Sequence, residues 1–166
     1  MTTPASKICL LGDFGVGKTS LVARFVHSTF SPKYLTTVGV KVDSREVEVA
    51  ARGTIKLVVW DIAGRSALDA LGMHYLRGAA GLLLVADGTR ESSLRSALNL
   101  LMQSRSALPE AVAALAVNKL DLVERWEVAP ATLAELRRNL PVVETSALSG
   151  SGVEELFATI AARLPA

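Results

Sequence analysis

The chain has 166 residues, 50% hydrophobic and 20% charged, with 18 Lys and Arg against 16 Asp and Glu for a formal net charge of +2. That content suits one substantial core, and a single domain over residues 1–166 is expected. Basic residues are spread along the chain with no cluster beyond Arg137-Arg138, which argues against a nucleic-acid or membrane-surface protein.

The N-terminus Met1-Thr2-Thr3-Pro4 has no signal-peptide core, and Thr2 stands where myristoylation needs glycine. Cys9 is the one cysteine, so no internal disulfide can form and a reducing cytosol is implied. It lies in an apolar strand, Ile8 to Leu11, followed directly by Gly12-Asp13-Phe14-Gly15-Val16-Gly17-Lys18-Thr19 and then by the helix-like Ser20 to Phe25. Strand, G-x-x-x-x-G-K-[ST] and helix in that order make a phosphate loop. Its backbone N–H groups and the helix N-terminus suit phosphate, Lys18 suits the β- and γ-oxygens, and the Thr19 hydroxyl suits Mg²⁺.

Val40/Val42 and Val47/Val49 alternate with polar residues, as in an antiparallel edge strand, but the phase slips between Val42 and Val47, predicting a bulge near Asp43 to Glu46. An Arg52-Gly53 turn leads to a strand from Ile55 to Trp60, which ends in Asp61-Ile62-Ala63-Gly64. Asp61 supplies a carboxylate to a metal through water, and Gly64 an unobstructed N–H for a γ-phosphate. Gly81 to Ala86 reads as a buried parallel strand, too short to span a bilayer. Apolar Leu94, Ala97, Leu98, Leu101 and Leu108 form one face of a helix from Glu91 to Leu108.

The strand Ala111 to Val117 runs into Asn118-Lys119-Leu120-Asp121. A fixed carboxylate at Asp121 can accept from both N–H groups on one edge of guanine, which adenine lacks, and a polar site left unpaired discriminates by about 10⁴–10⁵. Lys119 can lay its stem along the base, and Asn118 can tie this loop to the phosphate loop. Pro130 and Pro141 bracket a helix from Ala131 to Asn139. Glu144-Thr145-Ser146-Ala147-Leu148 can offer the Ala147 N–H to the guanine carbonyl. Ser151-x-x-Glu154 reads as a capping box for a last helix carrying Val153, Leu156, Phe157, Ile160 and Leu164.

Four such motifs in order, with Tyr34-Leu35-Thr36-Thr37-Val38-Gly39-Val40 and Tyr75-Leu76-Arg77-Gly78 between them, mean that the chain resembles the Ras-like small GTPases and the Rab branch most closely, from about Lys7 to Leu164. The resemblance implies an α/β P-loop NTPase G domain: a six-stranded, mostly parallel sheet with one antiparallel edge strand and helices on both faces. It implies a monomeric switch that binds GTP and GDP with Mg²⁺ and hydrolyses GTP. Lys18, Thr37 and Arg65 occupy the positions next to the reacting phosphate, and Thr19, Thr37 and, through water, Asp61 those of the metal ligands. The nucleotide positions are Gly12 to Ser20, Phe30, Thr37, Gly64, Asn118, Lys119, Asp121, Ser146, Ala147 and Leu148; Phe30 matches the aromatic that packs on guanine.

Activator, exchange-factor and effector proteins are the expected partners, meeting the switch regions about Val42, Trp60 and Tyr75. The family's C-terminal prenylated cysteines have no counterpart here, so no direct lipid anchor is expected, and the Ala/Leu/Arg-rich composition points to a prokaryotic source.

Two positions depart from the family. Arg65 replaces the Gln that orients the attacking water, and it cannot accept that water's hydrogen bond. Phe14 stands where Ras has Gly and Rabs usually have a small residue. Slow intrinsic hydrolysis is expected; the rival reading is a GTP-bound interaction module that barely hydrolyses and is controlled by exchange or partner binding. His27 and His74 have no companions at metal-ligand spacing, and Trp126 is expected to pack in a surface loop.

Overall fold

The computed structural model describes residues 2–31, 39–64 and 69–166. In chain order the elements are β1 (Ala5–Leu11), α1 (Lys18–His27), β2 (Val40–Val49), β3 (Gly53–Ile62), α2 (Ala70–Leu76), β4 (Gly81–Asp87), α3 (Glu91–Ala107), β5 (Val112–Asn118), α4 (Pro130–Leu136), β6 (Val142–Glu144) and α5 (Val153–Arg163), with a 3-10 turn at Leu120–Arg125. The strands form one sheet in the order β2-β3-β1-β4-β5-β6. Among the described residues only the β2–β3 pairing is antiparallel. No described helix is long and apolar enough to cross a membrane.

The central strands are apolar on both faces, because helices cover both. Ile8, Leu10, Leu83, Val85, Ala114 and Ala116 point to one face, where Leu21 and Phe25 of α1 meet Leu156, Phe157 and Ile160 of α5. The Phe25 and Phe157 rings stack with centroids 3.8 Å apart and planes 7° off parallel. Cys9, Leu11, Leu82, Leu84, Leu115 and Val117 alternate onto the other face, under Leu94, Ala97, Leu100 and Leu101 of α3 and Leu133 of α4. Burial pushes the Cys9 thiol up to about 12 against the opposing charge of Lys7, so it packs as an inert small hydrophobe.

Three local expectations need correction. The β2–β3 register runs without a break from Val40↔Ile62 to Val49↔Gly53, so there is no bulge. Asp43 and Arg45 take the inward positions that alternation assigned to apolar residues. Asp43 lies 3.6 Å from His27 Nε2 and 3.7 Å from Lys41 Nζ. The Arg45 guanidinium covers the Phe25 ring at 4.5 Å and donates to the Phe25 carbonyl at 2.9 Å.

The capping box does not form. The residue before α5 is Gly152 in a left-handed conformation (φ 72°), no side chain caps the helix, and Glu154 pairs with Arg45 at 2.5 Å. Finally, α4 stops at Leu136, since Arg138 and Asn139 bond back only three residues, to Glu135 and Leu136, as the chain tightens toward Pro141.

Candidate functional site

The loops after β1, β3, β4, β5 and β6 leave from the same edge of the sheet, the carboxyl end of its parallel strands, where open α/β sheets bind ligands. The first, residues 12–17, turns through two left-handed glycines, Gly15 (φ 80°) and Gly17 (φ 104°), and delivers the chain into α1 with no side-chain cap. A helix N-terminus without a side-chain cap is suited to an anion.

Lys18 is 6% exposed, and its ammonium donates to the carbonyls of Gly12 at 2.9 Å and Asp13 at 3.2 Å. Burial lowers its pKa, while the carboxylates of Asp61 and Asp13 oppose that shift. A buried cation aimed along the inside of a loop of N–H groups is suited to an anion.

Beside it, the Thr19 hydroxyl donates to Asp61 Oδ2 at 2.5 Å, and Asp61 is 1% exposed at the end of β3. A hydroxyl and a carboxylate in contact are hard oxygen donors of the kind Mg²⁺ selects. Among the described residues, no group of three or more His, Cys, Asp or Glu could hold a metal by itself. Gly64 abuts the phosphate loop so closely that a Cβ there would lie 2.5 Å from the Phe14 nitrogen. The Phe14 side chain is 53% exposed.

Asn118, at the end of β5, is 2% exposed and joins three segments. Its amide donates to the Val16 carbonyl at 3.0 Å, and its carbonyl accepts from the Thr145 hydroxyl at 3.0 Å. The Asn118 amide also fills the space that a Cβ on Gly17 would need, 2.3 Å away. Lys119 sits in the left-handed region (φ 73°), rare for a residue with a side chain. Its ammonium pairs with the buried Asp87 at 2.8 Å. Burial of Asp87 opposes ionisation, but Lys119 and the Thr89 hydroxyl and N–H outweigh it and hold the carboxyl below its usual value.

Asp121 accepts from the Ser146 hydroxyl at 2.7 Å, linking the loops after β5 and β6. Ala147 is buried and its carbonyl accepts from Arg24 of α1, as does that of Leu148, whose side chain is half exposed. Phe30 is half-buried against the α1/α5 side of the core, and Ser20 lies in the first turn of α1.

The structure therefore brings together the residues of all four motifs. Thr37 and Arg65 fall in 32–38 and 65–68, outside the described residues. Trp126 is more than loop packing: its indole donates to the Lys119 carbonyl at 2.9 Å and lies over Gly88, in the space a Cβ there would occupy. Arg90 was not singled out by its sequence position, yet it donates to the Phe14 carbonyl at 3.0 Å. The Trp60 and Tyr75 rings stand 6.3 Å apart, Lys7 lies 3.7 Å over the Trp60 ring, and Val42 is exposed opposite Trp60 in the sheet register.

A sequence model of the Ras family matches residues 7–166. The chain belongs to the Ras family. It is 36% identical over 162 residues to the Ras-related protein Rab-22A of Canis lupus familiaris, of Homo sapiens and of Mus musculus, covering 96% of this chain and 83% of each relative. Those relatives place it close to the Rab branch, and Ras-family membership supports a GTP-binding switch GTPase.

Proposed function

We propose that residues 1–166 act as one guanine-nucleotide-binding domain, a switch that holds GTP in one state and GDP in the other. The observation that carries this reading is the Asn118 bridge, which packs the base-reading loop onto the phosphate loop while Ser146 holds Asp121. A nucleotide with guanine at one end and a β-phosphate at the other would span that arrangement. Asp121 accepts from the guanine edge, Lys119 flanks the base, the Ala147 N–H meets the guanine carbonyl, and Lys18 with the N–H groups of residues 13–19 takes the phosphates.

Thr19, Asp61 through water, and Thr37 would hold Mg²⁺, which neutralises phosphate charge when bound. Thr37 and Gly64 would contact the γ-phosphate and release when it is lost, which is how switch loops signal. Val42, Trp60 and Tyr75 would serve as the surface that effectors and regulators meet. Intrinsic hydrolysis is slow in this reading, because Arg65 cannot orient water as a Gln does.

The test is competition for the purified protein with Mg²⁺ by GDP, GTP, ATP and xanthosine diphosphate. GDP and GTP should displace a fluorescent guanine nucleotide at least about 10³-fold better than ATP. Asp121→Asn should move preference toward xanthosine diphosphate, whose 2-carbonyl accepts from the new amide. Equal competition by ATP and GTP in the unmutated protein would end the guanine reading.

A further inference from the structure

The phosphate loop is tied to the rest of the site at a second place, through Arg90. Arg90 stands where β4 passes into α3, and its backbone is fixed there. Its N–H donates to the Asp87 carbonyl at 2.9 Å, and its own carbonyl accepts from the Ser93 hydroxyl at 2.6 Å and the Ser93 N–H at 3.0 Å. From that fixed point the side chain reaches back across 76 residues of sequence: Nη2 donates to the Phe14 carbonyl at 3.0 Å while Nε lies 3.4 Å from Asp87 Oδ2. The same Asp87 oxygen takes the Lys119 ammonium at 2.8 Å. One buried carboxylate thus lies between a cation of the base loop and a cation bonded to the phosphate loop.

The consequence follows from the planarity of the peptide unit. In a trans peptide the C=O of one residue and the N–H of the next point in opposite directions, and the described chain has no cis bonds. Fixing the Phe14 carbonyl therefore fixes the Gly15 N–H. Three successive carbonyls of this loop each face a cation, those of Gly12 and Asp13 meeting Lys18 and that of Phe14 meeting Arg90. Gly15 itself is left-handed (φ 80°) and has no side chain to hold its orientation.

We propose that Arg90 is a positioning residue for the nucleotide's β-phosphate: by anchoring the Phe14 carbonyl to Asp87 it aims the Gly15 N–H into the phosphate cradle, and so slows nucleotide release. This rests on the guanine-nucleotide reading above. Lys119 and Arg90 then couple base and phosphate recognition through Asp87.

The experiment compares unmutated protein, Arg90→Ala, Arg90→Lys and Arg95→Ala, the last an exposed α3 pair partner of Glu91 remote from these contacts. GDP and GMP affinities are measured by displacement of a fluorescent GDP, together with the rate of GDP release. A charge-assisted hydrogen bond corresponds to roughly a ten- to hundredfold effect on affinity. Arg90→Ala should weaken GDP and speed its release by that factor, while GMP, which has no β-phosphate, changes by less than about threefold. Arg90→Lys should restore part of the loss, and Arg95→Ala should behave as unmutated.

Equal losses for GDP and GMP would make Arg90 a general structural prop, and unchanged GDP release would remove it from the site; either overturns the proposal. Failure of the unmutated protein to bind GDP at all would instead sink the guanine reading beneath it.

Discussion

Phe14 is bulky where the family has a small residue, and more than half of its surface is open. Its backbone is already engaged, by Gly64 packed on the nitrogen side and Arg90 on the carbonyl. On the reading proposed above, a large side chain on a loop held at both faces would crowd an arginine supplied by an activator. On the same reading Arg65 would lack the water-orienting carbonyl of a Gln, so that two obstacles to hydrolysis would act together. Arg65→Gln and Phe14→Gly, made singly and together, test this by single-turnover hydrolysis. The double variant should be faster by about tenfold or more, equivalent to about 1.4 kcal/mol of barrier, with little gain in either single variant. If Arg65→Ala abolishes hydrolysis that the unmutated protein performs efficiently, Arg65 acts on the phosphate in cis and this view is wrong. Lys18, Thr19, Asp61, Asn118 and Asp121 stood out in the sequence as candidates because phosphate, magnesium and guanine each demand a particular functional group at a particular spacing, and the structure gathers them at one edge of the sheet. Arg90 was not singled out and Trp126 was given only loop packing, because neither belongs to a motif and each acts on a backbone carbonyl, which any residue can supply.

Among the elements, β2 shows where pattern reading fails. Alternation assumes that the inward face of a strand is apolar, and here Asp43 and Arg45 fill it. Arg45 is tolerated because its planar guanidinium lies on the Phe25 ring, its N–H meets the Phe25 carbonyl, and Glu154 receives the remaining charge. One side chain therefore links β2, α1 and α5. The Glu154 side chain is 70% exposed, so its ion pair is well screened and contributes at most about 0.5–1 kcal/mol. The stacked, partly covered guanidinium and its bond to the backbone should matter more. Arg45→Ala is expected to destabilise the nucleotide-bound protein by about 1–2 kcal/mol, and Glu154→Gln by less than about 0.5 kcal/mol. Thermal unfolding distinguishes them, and equal shifts would show that the ion pair, not the stacking, holds β2. The same Arg45–Glu154 pair explains the missing capping box: Glu154 is spent on β2, and the left-handed Gly152 shapes the entry to α5 instead.

At the scale of the whole molecule, the order of apolar strands and ligand loops foretold the sheet, since parallel strands buried on both faces must read as continuous apolar runs. The expected tie of Asn118 to the phosphate loop is made at Val16, but the order could not give the other bonds by which the loops hold one another: Ser146 to Asp121, Arg24 to Ala147 and Arg90 to Phe14. These bonds join loops from four strands into one rim, and a ligand seated on the rim would bind the folded chain and not the unfolded one. Mass action then gives about 2.7 kcal/mol of stabilisation at a free nucleotide concentration of a hundred times Kd. For a chain of this size each kcal/mol moves the midpoint by about 2–4 °C, so GDP with Mg²⁺ should raise Tm by about 5–10 °C. Removing the metal with a chelator should lose a large part of that gain, since Thr19 and Asp61 would hold the ion that neutralises phosphate charge. Guanosine, which leaves Lys18 and the phosphate loop unengaged, should produce a much smaller shift at the same concentration. A rise with ATP equal to that with GDP, or a GDP effect indifferent to chelation, would contradict the assignment of the base loop or of the Thr19 and Asp61 metal site respectively.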